Sequence, residues 1–100
     1  MDAGSTQEAK GALAGKVAVV TGSTSGSGRG VARRFVAEGA EVVLLARGKD
    51  RLFAETEALG SRAFPIPTDV GDLESVRSAF AEIENRFGKL DVLVNNAAVY

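Results

Sequence analysis

Apolar runs and helical segments alternate along this chain, and this alternation restricts the fold more than any other feature. Four short, mostly apolar runs are separated by stretches whose apolar residues recur with helical spacing. The first two runs are continuous, which is typical of strands buried on both faces of a parallel sheet. Parallel strands need crossover connections, and helices supply them. The sequence therefore predicts a doubly wound α/β fold, with helices on both faces of the sheet.

The predicted strands and helices follow from local patterns and from the residues that end them. The predicted strands are 17–20, 42–46, 63–67 and 90–94. The predicted helices run from Arg29 to a stop at Gly39, from Asp50 to Leu59 with Gly60 behind it, and from the N-cap Asp72 to Phe87 with Gly88 closing the helix. Residues 1–14 have no usable period, and we predict a flexible leader there, with one domain over residues 15–100.

Composition excludes several classes of function. The 100 residues suffice for one domain, and they include no Cys and no His, which rules out disulfide frameworks, thiolate nucleophiles, Ser-His triads and Cys/His zinc sites. Twelve Lys and Arg against thirteen Asp and Glu give a net charge of −1, so we expect no nucleic-acid partner. The acidic start lacks the apolar core of a signal peptide, and no apolar run approaches the ~18 residues of a membrane helix. We therefore expect a soluble, cytoplasmic protein without a membrane partner.

A glycine-rich turn follows the first predicted strand and carries the strongest functional signal. It reads Thr21-Gly22-Ser23-Thr24-Ser25-Gly26-Ser27-Gly28. Gly22 permits a tight turn, Gly26 lets the backbone approach a pyrophosphate, and Gly28 lets the helix pack closely on the strand. The following helix offers free amides and a partial positive charge to phosphates, and the Ser and Thr hydroxyls add donors. Small-residue turns also occur without a ligand, but the position within a βαβ unit favours phosphate binding.

Three motifs in collinear order resemble those of the short-chain dehydrogenase/reductase family. They are the T-G-x-x-x-G-x-G turn at residues 21–28, Asp69-Val70 after the third strand, and Asn95-Asn96-Ala97 after the fourth. The resemblance extends over residues 16–99. It implies a partial Rossmann-type sheet of four strands in the order 3-2-1-4 with three helices, and an NAD(P)-dependent oxidoreductase that transfers hydride between the cofactor and an alcohol or carbonyl substrate. Ser27 and Ala98 depart from the family pattern, which has an apolar residue and a glycine at these positions.

The end of the second strand favours NADP(H) over NAD(H). A carboxylate there would bind the ribose 2′-hydroxyl and repel a 2′-phosphate, whereas an arginine attracts the phosphate. The strand ends in Ala46-Arg47, and the resemblance places Arg47 where NADP-preferring relatives carry arginine. The alternative is that Arg47 is only a solvated charge at a strand end.

The remaining expected cofactor contacts rest on the resemblance. It implies that Asp69 binds the adenine amino group and that the Val70 backbone contacts the ring. It also implies that Asn96 and Ala97 line the ribose, while Asn95 ties neighbouring strands together. By its residues alone, Asp69 is predicted to be a turn residue rather than a cofactor contact.

The catalytic Tyr-x-x-x-Lys pair of the family, with its upstream Ser, is absent from these residues. Tyr100 is the single tyrosine and lies where the family has no catalytic tyrosine, so we assign no catalytic residue. We expect residues 15–100 to be a cofactor-binding half-domain that is inactive alone. Its fourth strand would be an exposed edge open to self-association or to a complementing chain. The alternatives are a non-catalytic nucleotide-binding module and a structural remnant that needs a second chain.

Overall fold

A parallel sheet of four strands forms the centre of the molecule. The computed structural model describes residues 11–22 and 26–96. The elements in chain order are β1 (Val17–Thr21), α1 (Gly26–Ala37), β2 (Glu41–Ala46), α2 (Lys49–Leu59), β3 (Ala63–Pro67), α3 (Leu73–Phe87) and β4 (Val92–Asn95). The strand order is β3-β2-β1-β4, and each neighbouring pair is parallel. The predicted Rossmann-type α/β architecture and its strand order are confirmed.

Two apolar clusters explain why the sheet needs helices on both faces. Every residue of β1 is buried, as are the four central residues of β2. Side chains alternate across a strand, so Val20 and Leu44 pack against α1 and α2 on one face. Val19 and Val43 pack with Ile83 of α3 on the other.

Two element boundaries differ from the predictions by more than one residue. Helix α1 begins at Gly26, three residues before the predicted Arg29, because the first turn contains two glycines that weaken the helical signal in the sequence. Strand β4 begins at Val92 rather than at residue 90. The side chain of Asp91 accepts a hydrogen bond from the Val17 N–H at 2.8 Å, so this residue fixes the start of β1 instead of extending β4.

Residues 11–15 form a turn that lies on the end of α1. The Leu13 N–H donates to the Glu38 carbonyl at 2.9 Å, and the Ala12 N–H donates to Oε1 of Glu38 at 3.1 Å. The Leu13 side chain packs against the cluster shared by α1 and α2. Four residues of the predicted leader, 11–14, therefore contact the domain, while residues 1–10 lie outside the described part of the chain.

Helix α3 is the best delimited of the three helices. Its N-cap is Asp72, as predicted, and Oδ1 of Asp72 accepts a hydrogen bond from the Glu74 N–H at 3.1 Å. Gly88 closes the helix in a left-handed conformation with φ of 71°. These caps fix the segment that leads from β3 to β4 along one face of the sheet.

Strand β4 is the edge of the described sheet beside β1. Its residues alternate between half-buried and exposed, and Leu93 has 53% of its surface exposed. Leu93 is paired in register with Val19, so its side chain lies on the same face of the sheet as that of Val19, the face on which α3 packs. Within residues 11–22 and 26–96, no helix has the length and apolar character needed to cross a membrane.

Candidate functional site

The carboxyl ends of the strands meet at one edge of the sheet. Thr21 of β1 is in register with Leu45 of β2 on one side and with Asn95 of β4 on the other. The Gly22 N–H donates to the Leu45 carbonyl at 3.1 Å, which continues the pairing one residue beyond β1. Ligands of open α/β sheets bind outside this edge, so the residues that follow the strands form the candidate site.

Thr21 joins the end of β1 to the two asparagines that follow β4. Its hydroxyl donates to Oδ1 of Asn95 at 2.9 Å and accepts a hydrogen bond from the Asn96 N–H at 2.8 Å. Thr21 is only 6% exposed, whereas Asn95 is exposed, so the hydrogen bonds are partly shielded from water. The glycine-rich motif includes Thr21 but does not indicate these contacts, for which a hydroxyl at the end of an otherwise apolar buried strand is the usable signal.

Gly28 brings α1 close to the strands beneath it. A Cβ atom at this position would overlap the Gly22 carbonyl and lie 2.7 Å from Nδ2 of Asn96. Only glycine therefore permits the observed approach. The sequence predicted this role from the spacing of the glycines, and the geometry adds that the helix also approaches the end of β4.

The N-terminus of α1 points its free amides toward the same edge. Gly22 and Gly26 have φ of 65° and 55°, the left-handed values that glycine adopts without strain. Apart from its chain neighbours and the backbone of its own helix, no described atom lies within 4 Å of the position that a Cβ of Gly26 would take, and the first turn of α1 carries no acidic residue. Among the described residues, none covers this helix end, and the first turn has no carboxylate to compete for the amides.

Five predicted cofactor contacts cannot be placed. Ser23, Thr24, Ser25 and Ala97 lie outside the described residues, as does the side chain of Ser27. The other predicted site residues are described.

Asp69 closes the turn between β3 and α3. Its Oδ1 accepts a hydrogen bond from the Gly71 N–H at 2.9 Å, and its own N–H donates to Oγ of Ser75 at 2.9 Å. These contacts match the turn role that the residues alone predict for Asp69. They hold a half-buried carboxylate at the carboxyl edge of the sheet.

A cleft of about 240 Å³ lies beside this turn, between α3 and the end of β4. Apolar side chains make up most of its wall, and the polar groups come from Thr21 and Asn95. The lining residues are Thr21, Leu45, Val70, Val76, Phe80, Leu93 and Asn95. Such a mostly apolar cleft with a few convergent polar groups suits a planar organic ring.

The basic residues near the site differ in their pairing. Arg47 directly follows β2, is exposed, and has no ion-pair partner among the described residues. Arg29, in the first turn of α1, lies with its Nε 3.5 Å from Oε1 of Glu55. Glu55 also faces Arg33, whose Nε lies 3.3 Å from Oε2. The sequence did not identify Glu55, because a glutamate within a helix carries no distinguishing local signal.

Two carboxyls with altered titration lie at the opposite edge of the sheet. The hydrogen bond from the Val17 N–H, supported by Lys89, holds the pKa of Asp91 below its ordinary value. The hydrogen bond from the Ala12 N–H and the nearby Arg34 do the same for the pKa of Glu38. Because both groups lie at the amino-terminal edge, they bear on stability rather than on the site. Among the described residues, no group of three or more Asp or Glu side chains is arranged to hold a metal ion.

Comparison with known proteins extends this picture. The family model described as short chain dehydrogenase matches residues 16–100. A 3beta-hydroxysteroid dehydrogenase from Mediterraneibacter gnavus is 44% identical over 87 residues, which are 84% of this chain and 32% of that protein. The 11-beta-hydroxysteroid dehydrogenase-like 2 of Arabidopsis thaliana is 45% identical over 91 residues, 87% of this chain and 30% of that protein. The chain thus spans about a third of the length of these curated relatives.

A solved structure gives the same relation in three dimensions. The 3-ketoacyl-(acyl-carrier-protein) reductase of Brucella melitensis, complexed with NADH, superimposes with a TM-score of 0.81 and 39% identity. The match covers 85% of this chain and 35% of the reductase.

Proposed function

The chain belongs to the short chain dehydrogenase family, and from this premise we propose that residues 16–97 hold a nicotinamide dinucleotide in an oxidoreductase that acts on an alcohol or carbonyl substrate. The observation that carries the proposal is the close packing of Gly28 against Gly22 and Asn96 beside the open N-terminus of α1. A bound nicotinamide supplies or accepts the hydride. The described residues bind and orient the cofactor.

The residues at the carboxyl edge fit such a cofactor. The free amides at the start of α1 suit a pyrophosphate, and no described side chain fills the space in front of Gly26. Val70 lines the apolar cleft next to Asp69, which is where we place the adenine. Asn96, held by Thr21, is assigned to the ribose side together with Ala97. The three serine and threonine residues at 23–25 and Ser27 are assigned to the phosphate turn.

We assign NADP(H) as the preferred cofactor, on the basis of Arg47. Its exposed guanidinium follows β2 without an ion-pair partner among the described residues, and Ala46 leaves no carboxylate to repel a 2′-phosphate. An arginine that contacts a phosphate forms strong, charge-assisted hydrogen bonds.

The test measures the affinities of the wild-type chain and of Arg47→Asp for NADPH and for NADH. We expect the substitution to weaken NADPH binding and to reduce the ratio of NADPH to NADH affinity by at least about tenfold, equivalent to ~1.4 kcal/mol. Arg51→Asp is the matched control, because Arg51 is an exposed arginine on the outside of α2. An unchanged ratio in Arg47→Asp, or an equal change in Arg51→Asp, contradicts the cofactor assignment.

Strand β4 supports a second proposal, that residues 1–100 alone self-associate through this edge. Leu93 exposes an apolar side chain on a strand with an unpaired side in the described sheet. Sedimentation velocity of Leu93→Lys should then show less association than the wild type. Leu73→Lys is the control, because Leu73 is 63% exposed but lies on α3. Equal association of all three proteins refutes this proposal.

A further inference from the structure

A buried carboxylate on α2 faces the helix that begins the candidate site. Glu55 is 8% exposed, whereas the arginine side chains on either side of it, Arg29 and Arg33, are 46% and 55% exposed. Each carboxylate oxygen faces one guanidinium, at 3.5 Å for Arg29 and 3.3 Å for Arg33. The three residues form one cluster, which we name the Glu55 bridge.

The Glu55 bridge joins two helices that start at the same edge of the sheet. Arg29 and Arg33 are four residues apart, so they lie on the same side of α1. Glu55 lies in the middle of α2, the helix that follows Arg47 and Gly48. The carboxylate of Glu55 therefore connects the first and second turns of α1 to α2, the helix that follows Arg47.

The position of the carboxylate has an electrostatic consequence. Arginine in the first turn of a helix is unfavourable, because the free amides there already carry partial positive charge. An acidic residue in the same turn would relieve this, but it would also compete with a phosphate for those amides. Glu55 compensates Arg29 from the neighbouring helix, and the first turn of α1 contains no acidic residue of its own.

We propose that Glu55 is a positioning residue for the dinucleotide: by bridging Arg29 and Arg33 it holds the first turn of α1 in place, so that the helix amides meet the pyrophosphate. This inference rests on the proposed function. It predicts that Glu55 affects the affinity for every ligand that carries the pyrophosphate, whether or not a 2′-phosphate is present. In this respect it differs from Arg47, which acts on the choice between the two cofactors.

The experiment uses Glu55→Gln and Glu55→Asp in the 100-residue chain, with Glu57→Gln as the matched control. Glu57 is exposed on the same helix and forms no ion pair among the described residues. Glutamine keeps the shape of Glu55 but removes its charge, and aspartate keeps the charge but shortens the reach. Both should raise the Kd for NADPH and for NADH by a similar factor of about three- to tenfold, whereas Glu57→Gln should leave both unchanged.

Hydrogen exchange at the amides of residues 30–33 provides the second readout. These amides close the first two turns of α1, so loss of the Glu55 bridge should speed their exchange, with the amides of β2 unaffected. A general loss of stability would speed exchange in β2 as well, and that result overturns the positioning role. Tighter NADPH binding by Glu55→Gln also overturns it, because the carboxylate would then act only by lowering the positive field.

The two proposals fail in different ways. If the wild-type chain binds neither NADPH nor NADH, the proposed function is refuted. The exchange comparison still decides whether Glu55 holds the first turn of α1. If the wild type binds and both Glu55 variants bind equally well, the proposed function stands and the positioning role is refuted.

Discussion

Replacement of Gly28 by alanine tests the geometry on which the candidate site depends. An added Cβ would overlap the backbone carbonyl of Gly22 and lie 2.7 Å from Nδ2 of Asn96. Backbone cannot rotate away as a side chain can, so α1 must move outward from β1. The Gly22 N–H donates a hydrogen bond to the Leu45 carbonyl, and this hydrogen bond opposes any compensating shift of the turn.

Gly30→Ala is the matched control for this substitution. Gly30 lies two residues further along α1, and a Cβ there would meet no described atom within 4 Å. Both substitutions gain the same helix propensity, about 0.5–1 kcal/mol for alanine over glycine. The difference between the two variants therefore isolates the steric cost, which for overpacking is about 1–3 kcal/mol.

Thermal unfolding followed by circular dichroism measures this difference. In a domain of this size, 1 kcal/mol corresponds to about 4–8 °C in Tm, so Gly30→Ala should melt about 4–24 °C above Gly28→Ala. Gly28→Ala should also lose dinucleotide affinity, because the outward shift separates the helix amides from the end of β4. If the two variants have equal Tm and equal affinity, the close approach of α1 has no energetic consequence and the reasoning is refuted.

Three further predictions concern other parts of the molecule. Thr21→Val removes the hydrogen bonds of the hydroxyl, including those with Asn95 and Asn96, and should lower the free energy of unfolding by about 1–3 kcal/mol. Thr21→Ser should retain most of the wild-type stability, and equal urea midpoints for the two variants contradict this. The hydrogen bond that lowers the pKa of Asp91 stabilises the fold above about pH 4, and this stabilisation is lost as the pH falls through the lowered pKa. The difference in free energy of unfolding between wild type and Asp91→Asn should therefore shrink from about pH 7 to about pH 3. A constant gap contradicts the link to Val17. Leu93→Lys should reduce self-association at unchanged Tm, because Leu93 is an exposed edge residue.

The sheet was predictable from the sequence because its signals are local. Continuous apolar runs predict β1 and β2, and helical spacing predicts α3. The cap residues Asp72 and Gly88 predict the two ends of α3. The start of α1 was not predictable to the residue, since glycines in its first turn favour contact with the strands at the expense of helix propensity.

The candidate site was predictable only in part. The glycine spacing predicted the close packing of Gly28, and the motif order placed Asp69 and Asn95 at the same edge. The Glu55 bridge was not predictable, because its partners are 22 and 26 residues away and meet only through the crossover from α1 to α2. A contact between two helices depends on the tertiary fold. The residues of one helix alone contain no local pattern that predicts it.

Titration of the wild-type chain with NADPH and NADH, followed by nicotinamide fluorescence, tests the central claim most directly. The account predicts saturable binding of both cofactors, with the lower Kd for NADPH because of Arg47. No fluorescence change with either cofactor up to about 1 mM, which corresponds to a binding free energy weaker than about −4 kcal/mol, would contradict the claim that these residues hold a nicotinamide dinucleotide. A lower Kd for NADH would contradict the assignment of NADP(H).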